Sequence, residues 1–224
     1  MPVEAVVFDL DGVLLDSEQR WNEAKHALVI DAGGRWRDDA PRAMMGMSST
    51  EWAAYLRDSL GVPLDVEQIN REVVARMEAL YRSSLPLLPG AVEAVHAMGA
   101  RWPLGLASSS NREIIDLALG LANVGDLFEV TVSSEEVTRG KPAPDVYLEA
   151  CRRLGVAPSA AVAIEDSSNG LRSAAAAEMT VIAVPNEHYP PDGDALELAA
   201  ATIRSLHELT PELVSSAHDR GGER

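Results

Sequence analysis

The chain has 224 residues, 19 Lys+Arg against 35 Asp+Glu, and a formal net charge of −16. Hydrophobic residues at 46% and charged residues at 24% describe an ordinary globular chain with enough length to bury a substantial core, which excludes wholesale disorder. So acidic a surface repels phosphate backbones and anionic lipid, which argues against nucleic-acid and membrane partners; an anionic ligand needs a locally positive or metal-loaded site.

The first apolar run, residues 5–8, is short and stops at the acidic turn Asp9-Leu10-Asp11-Gly12, the pattern of a buried strand ending in a loop. It is too short for the apolar core of a secretory leader, and nothing approaches the roughly 20 apolar residues of a membrane span. Residues 17–87 show no strand pattern. Helices are predicted over 18–30, 49–60 and 65–81, with Ser48 or Ser49 capping the second and Asp65 the third. Gly33-Gly34 and Gly61-Val62-Pro63 punctuate this stretch. Apolar strand runs then recur at 103–107, 128–132, 160–164 and 181–184, separated by helical patterns at 113–119, 145–154 and 171–178. Alternation of this kind predicts a parallel sheet covered on both faces, with ligands bound beyond the carboxyl ends of the strands. The helical stretch, placed directly after the first strand's acidic loop, is expected to overhang those ends. The lone Cys151 rules out an intrachain disulfide, and Tyr147, Leu148 and Leu154 around it at helical spacing suggest a small buried group. A reducing, cytoplasmic setting is expected. The tail from residue 215 reads as frayed.

Four strand-end loops carry polar residues. Asp9 and Asp11 are two positions apart, a spacing that aims both carboxylates the same way on an extended chain. Ala107-Ser108-Ser109-Ser110-Asn111 reads alone as a helix cap, yet hydroxyls and free amides at a helix start also cradle an anion. Lys141-Pro142-Ala143-Pro144-Asp145 sets a lysine before a rigid turn, and Glu165-Asp166-Ser167 follows the fourth strand. Asp9, Asp11, Glu165 and Asp166 in one pocket cannot all stay ionised unaided. A hard divalent cation resolves the conflict, and oxygen-only ligands point to Mg²⁺. A metal, a lysine and a hydroxyl-plus-amide cradle suit a phosphoryl group, and a carboxylate beside them can act as nucleophile. His26, His96, His188, His207 and His218 show no pairing at metal-ligand spacing, although His188 follows the last long strand near the expected rim.

Phe8-Asp9-Leu10-Asp11-Gly12-Val13, Ala107-Ser108-Ser109-Ser110, Lys141-Pro142-Ala143-Pro144-Asp145 and Ile164-Glu165-Asp166-Ser167 resemble, in order and spacing, the four motifs of the haloacid dehalogenase (HAD) superfamily. The nearest likeness is to the subfamily with a helical cap, typified by β-phosphoglucomutase and phosphoglycolate-type phosphatases. The resemblance implies a Rossmann-like α/β core over 1–16 and 88–224 and an inserted α-helical cap domain over 17–87. It implies that Asp9 is the nucleophile and a metal ligand. Asp11 would be the general acid/base and a ligand through its backbone carbonyl. Ser108, Ser109 and Lys141 would hold the phosphoryl group, and Glu165 with Asp166 would complete the Mg²⁺ site.

Sugar phosphomutases similar to this chain carry a His and a cap-loop Arg where Trp21 and Ser49 stand here. Losing both cations weakens the mutase reading, because a second phosphate needs cationic donors. The 44–48 loop, including Gly46, is expected to face the site. Trp21 and Trp52 are either pocket walls or cap core, and Ser49 and Asn111 complete the candidate substrate contacts. The expected activity is Mg²⁺-dependent hydrolysis of a small phosphorylated metabolite, with a phosphomutase as the alternative. A receiver-like phosphoacceptor module is the non-enzymatic alternative, disfavoured by the chain length and by the adjacent Asp11.

Overall fold

The computed structural model describes residues 2–44, 47–186 and 190–221. Among them the sheet has strands β1 (Ala5–Phe8), β2 (Leu104–Ser108), β3 (Phe128–Ser133), β4 (Ala161–Glu165), β5 (Thr180–Ala183) and β6 (Ala201–Thr202). All pair in parallel in the order β3-β2-β1-β4-β5-β6, the doubly wound Rossmann arrangement, with β1 central. Strand alternation sends side chains to two cores. Val6, Phe8, Leu104, Leu106, Val162 and Ile164 enter one; Ala5, Val7, Ala107, Ala161 and Ala163 enter the other. Both faces are therefore apolar, which is why these strands read as unbroken hydrophobic runs.

Between β1 and the rest of the sheet come α1 (Glu18–Asp31), α2 (Ala40–Ala43), α3 (Ser49–Asp58) and α4 (Val66–Ser83). Then follow α5 (Ala91–Gly99), α6 (Arg112–Leu121), α7 (Asp145–Leu154), α8 (Ser168–Ala176), α9 (Gly193–Leu196) and α10 (Pro211–Gly221). Helices α5, α6 and α10 feed the first core; α7 and α8 feed the second. The expected caps form. Ser48 Oγ accepts from Glu51 N while Glu51 Oε2 accepts from Ser48 N (2.8 Å), and Asp65 and Gln68 exchange the same pair at 2.7 and 3.2 Å. Helix α4 buries Ile69, Val73, Met77 and Tyr81, a strict i, i+4 stripe, and packs on α1 and α3. It also meets α6, where Asn111 Nδ2 donates to Asn70 Oδ1 at 3.3 Å. No described helix is long and apolar enough to cross a membrane.

Three expectations are corrected. Helix α5 and the two-residue strand β6 are additional elements; β6 is recruited by pairing with β5 and has no apolar run of its own. Cys151 is buried as expected, but Leu148 is 41% exposed, because Val146, Tyr147 and Ala150 share the inward face of α7 with Cys151. The tail is not frayed from residue 215 onward. Helix α10 lies against β5, buries Val214, Ala217 and His218, and brings His218 Nδ1 to 2.9 Å from Thr180 Oγ1. Truncation after Val214 should therefore lower the unfolding free energy by about 1 kcal/mol or more, the worth of the hydrogen bond and the lost burial. Urea denaturation reads this, and an unmoved midpoint would mean that the helix does not dock.

Candidate active site

The carboxyl ends of β1 and β4 meet at the centre of the sheet, where Asp9 N donates to Ile164 O at 3.0 Å and extends the ladder by one residue. This register delivers Asp9 next to Glu165 and Asp166. Two glycines make the approach possible. At Gly12 (φ +80°) a Cβ would fall 1.9 Å from Asp166 Oδ2, and at Gly170, in the first turn of α8, 1.8 Å from Glu165 Oε1. Ser167 caps α8 through its side chain, which accepts from Gly170 N at 3.1 Å, so the loop after β4 serves both as a helix start and as a carboxylate mount.

Asp9, Lys141, Glu165 and Asp166 are all buried. Lys141 Nζ lies 3.0 Å from Asp9 Oδ1 and 2.6 Å from Glu165 Oε1, and Tyr147 OH donates to the same Glu165 oxygen at 2.9 Å. Glu165 Oε2 accepts from Asp166 N at 2.9 Å and Ser167 N at 3.2 Å. Burial, opposed by Lys141 and aided by Glu165 and Asp11, pushes Asp9 up to about 7. Burial and the charges of Glu165 and Asp9 hold Asp166 well above the carboxylate range. Burial works against the Lys141 charge, but Asp9 and Glu165 outweigh it and hold the ammonium above the ordinary lysine range. Asp9, Glu165 and Asp166 each offer an oxygen within 4.8 Å of the others. Asp9 Oδ1 is buried with no hydrogen bond of proper geometry, its partner being the Lys141 charge alone. Three acids around one lysine, one of them with an unsatisfied oxygen, fit a hard divalent cation.

Asp11 points elsewhere. Its Oδ1 accepts from Ser17 Oγ and from Trp21 Nε1 (3.1 Å), and its Oδ2 from Ser110 Oγ (2.5 Å). Donors from the start of α1 and from the loop after β2 thus clamp this carboxylate apart from the acidic trio. Over the two aspartates opens a cavity of about 150 Å³, lined also by Ser109, Lys141, Trp21 and Trp52.

Of the candidates, Asp9, Asp11, Ser109, Lys141, Asp166, Trp21 and Trp52 line the cavity. Ser108 does not: it is fully buried and accepts from Ser110 N at 3.0 Å. Asn111 is also withdrawn, its amide donating to Glu135 Oε1 (2.6 Å) and Asn70, and Ser49 is buried at the start of α3 away from the cavity. The helix-start amides are partly engaged, with Arg112 N on Glu135 Oε2 at 3.0 Å. Met44 and Met47 line the cavity; Met45, Gly46 and His188 lie outside the described residues. Ser17, Ser110, Tyr147, Glu18 and Lys25 join the site without having been among the expected contacts. Glu18, Trp21 and Lys25 recur at i, i+3 and i+7 on α1, a spacing that marks one face and could have revealed the last of them.

Residues 6–184 match the family described as haloacid dehalogenase-like hydrolase. Hexitol phosphatase B of Escherichia coli K12 is 35% identical over 212 residues, covering 92% of this chain and 94% of its own. Protein CbbY of Rhodobacter capsulatus is 31% identical over 226 residues, covering 93% and 100%. A crystal structure of a CbbY mutant from Rhodobacter sphaeroides in complex with xylulose-(1,5)bisphosphate superposes with a TM-score of 0.83 at 27% identity, covering 95% and 99%.

Gly170→Ala tests the mount. In a helix this exchange ordinarily stabilises by about 1 kcal/mol. Here the new methyl meets the Glu165 carboxylate, and a destabilisation of about 1–3 kcal/mol is expected from overpacking, read by urea unfolding. A stabilised variant would contradict the geometry.

Proposed function

The chain belongs to the haloacid dehalogenase-like hydrolases, and from that membership we propose that it is a Mg²⁺-dependent phosphatase of small phosphomonoesters, working through an aspartyl-phosphate on Asp9. The observation that carries this reading is the pairing of two differently held carboxylates, Asp9 beside Lys141 and Asp11 under three neutral donors. One is equipped to attack, the other to exchange a proton.

In this reading an Asp9 carboxylate oxygen bonds to phosphorus as the bond to the leaving oxygen breaks, and Asp11 gives its proton to that oxygen. Asp11 then takes a proton from water as the water attacks phosphorus. The bond from phosphorus to Asp9 breaks, restoring the carboxylate and freeing inorganic phosphate. Lys141 and Ser109 face the phosphoryl oxygens, and Ser108 braces the loop behind them. Asp9, Glu165, Asp166 and the Asp11 carbonyl would hold Mg²⁺, which when bound supplies charge neutralisation for the phosphoryl group. Residues 17–87 serve as the cap domain that closes over the ester. The substrate is a phosphorylated metabolite in the cytoplasm, where a buried thiol such as Cys151 stays reduced.

Trp21 argues against the mutase alternative. It stands where a sugar phosphomutase has a histidine, and its indole N–H is already committed to Asp11 at 3.1 Å. An indole has no second donor and no positive charge for another phosphate.

Phosphate release across a panel of phosphorylated metabolites, with and without Mg²⁺, tests the activity. Asp9→Asn is expected to abolish turnover while leaving thermal unfolding near wild type, and near wild-type hydrolysis by that variant would sink the mechanism. The metal site has a separate readout. Asp9 ionises near its ordinary 3.8 in the unfolded chain and near 7 in the metal-free fold, so the fold binds the extra proton between those values. Metal-free stability should therefore fall as pH rises through that window. Mg²⁺ should raise the melting temperature more at pH 8 than at pH 5, because at pH 5 it competes with protons. An equal shift at both pH values would contradict the assignment.

A further inference from the structure

The cavity holds a second cation that the phosphoryl chemistry does not use. Lys25 on α1 is only 7% exposed, and its Nζ lies 5.4 Å from the ring centroid of Trp21 and 5.1 Å from that of Trp52. The two indoles stand 6.2 Å apart at 53°, and Glu18 lines the same cavity two turns before Lys25. Burial lowers Lys25 to about 8 against the pull of Glu18 and Asp11; burial raises Glu18, with Lys25 opposing. Lys25 and Lys141 are the two cations among the described residues lining the cavity, and Lys141 is bound to Asp9 and Glu165. Lys25 is therefore the one left to meet the alcohol part of an ester.

The surroundings define what it can meet. Trp21, half-buried at the cavity wall, adds apolar surface that suits the C–H side of a carbohydrate. Lys25 offers donors only, and an ionised Glu18 acceptors only, so together they bracket hydroxyls, which both accept and donate. A second phosphate would bring a dianion into a cavity that Glu18 and Asp11 also line, with Lys25 as the one cation to receive it, and like charges at this depth repel strongly. Building on the phosphatase reading, we propose that Lys25 and Glu18 form a specificity pair that selects a neutral, polyhydroxylated leaving group and rejects one carrying a second anionic group.

Steady-state kinetics on glucitol 6-phosphate and glucitol 1,6-bisphosphate, with p-nitrophenyl phosphate as a general ester, tests this. The wild type should favour the monophosphate by at least about ten-fold in kcat/KM. Lys25→Met should raise KM for the monophosphate about ten-fold, the worth of one charge-assisted hydrogen bond, with a smaller change in kcat. Glu18→Gln should narrow the preference by improving the bisphosphate. Equal or better use of the bisphosphate by the wild type overturns the proposal, as does a KM for glucitol 6-phosphate within two-fold of wild type in Lys25→Met. Should Lys25→Met fail to fold, Glu18→Gln decides: an unchanged preference overturns the pair. Hydrolysis of p-nitrophenyl phosphate but of neither glucitol ester also overturns the pair and leaves the phosphatase reading standing. Hydrolysis of none of the three in Mg²⁺ overturns that reading itself.

Discussion

Three carboxylates buried around one lysine are the constraint on which the rest of this structure depends. Asp9, Glu165 and Asp166 have lost most of their water, and Lys141 at 3.0 and 2.6 Å from two of them supplies a single positive charge. Buried ion pairs seldom repay their desolvation, so this cluster does not explain why the fold is stable. The two apolar cores do that. The cluster explains local sequence instead: why Gly12 and Gly170 stand where any side chain would strike a carboxylate, and why Tyr147 directs its hydroxyl at Glu165. One lysine does not balance three ionised acids, so the cluster suits a divalent cation.

Asp9 and Asp11 are two residues apart yet live in different environments. Asp9 closes the ladder between β1 and β4 and shares the Lys141 charge. Asp11 has turned away into donors supplied by α1 and the loop after β2. Two of those donors, Ser17 and Trp21, come from the start of the helical insertion. The insertion therefore orients the Asp11 carboxylate as well as lining the cavity. Lys25 and Glu18 continue the same face of α1 along the cavity wall.

Much of this was legible in the residues. The strands are short apolar runs that end in polar loops, and their alternation with helices leaves few topologies open. The caps at Ser48 and Asp65 form because their partners Glu51 and Gln68 sit three residues on. What escaped depends on tertiary placement. Strand β6 exists because β5 offers an open edge, and α10 is ordered by the β5 face rather than by its own polar sequence. In the site, Ser108 was expected to face the ligand, but the turn buries it and presents Ser109 and Ser110. Asn111 was drawn off by Glu135 and Asn70, neither near it in sequence. Lys25 carries no motif, and only the folding of two tryptophans from different helices around it sets it apart from a surface lysine. The net charge of −16 belongs largely to the solvated surface, and the proposed anion chemistry requires Lys141 and a cation to reverse its sign locally.

Covalent chemistry on Asp9 is the centre of this account, and trapping it is the most direct measurement. Wild-type protein mixed with a hydrolysed ester and Mg²⁺, quenched in acid during turnover and digested under acidic conditions, should carry a base-labile phosphoryl group on the peptide containing Asp9. A phosphoryl group on any other residue, or none at all while turnover proceeds, would contradict the account.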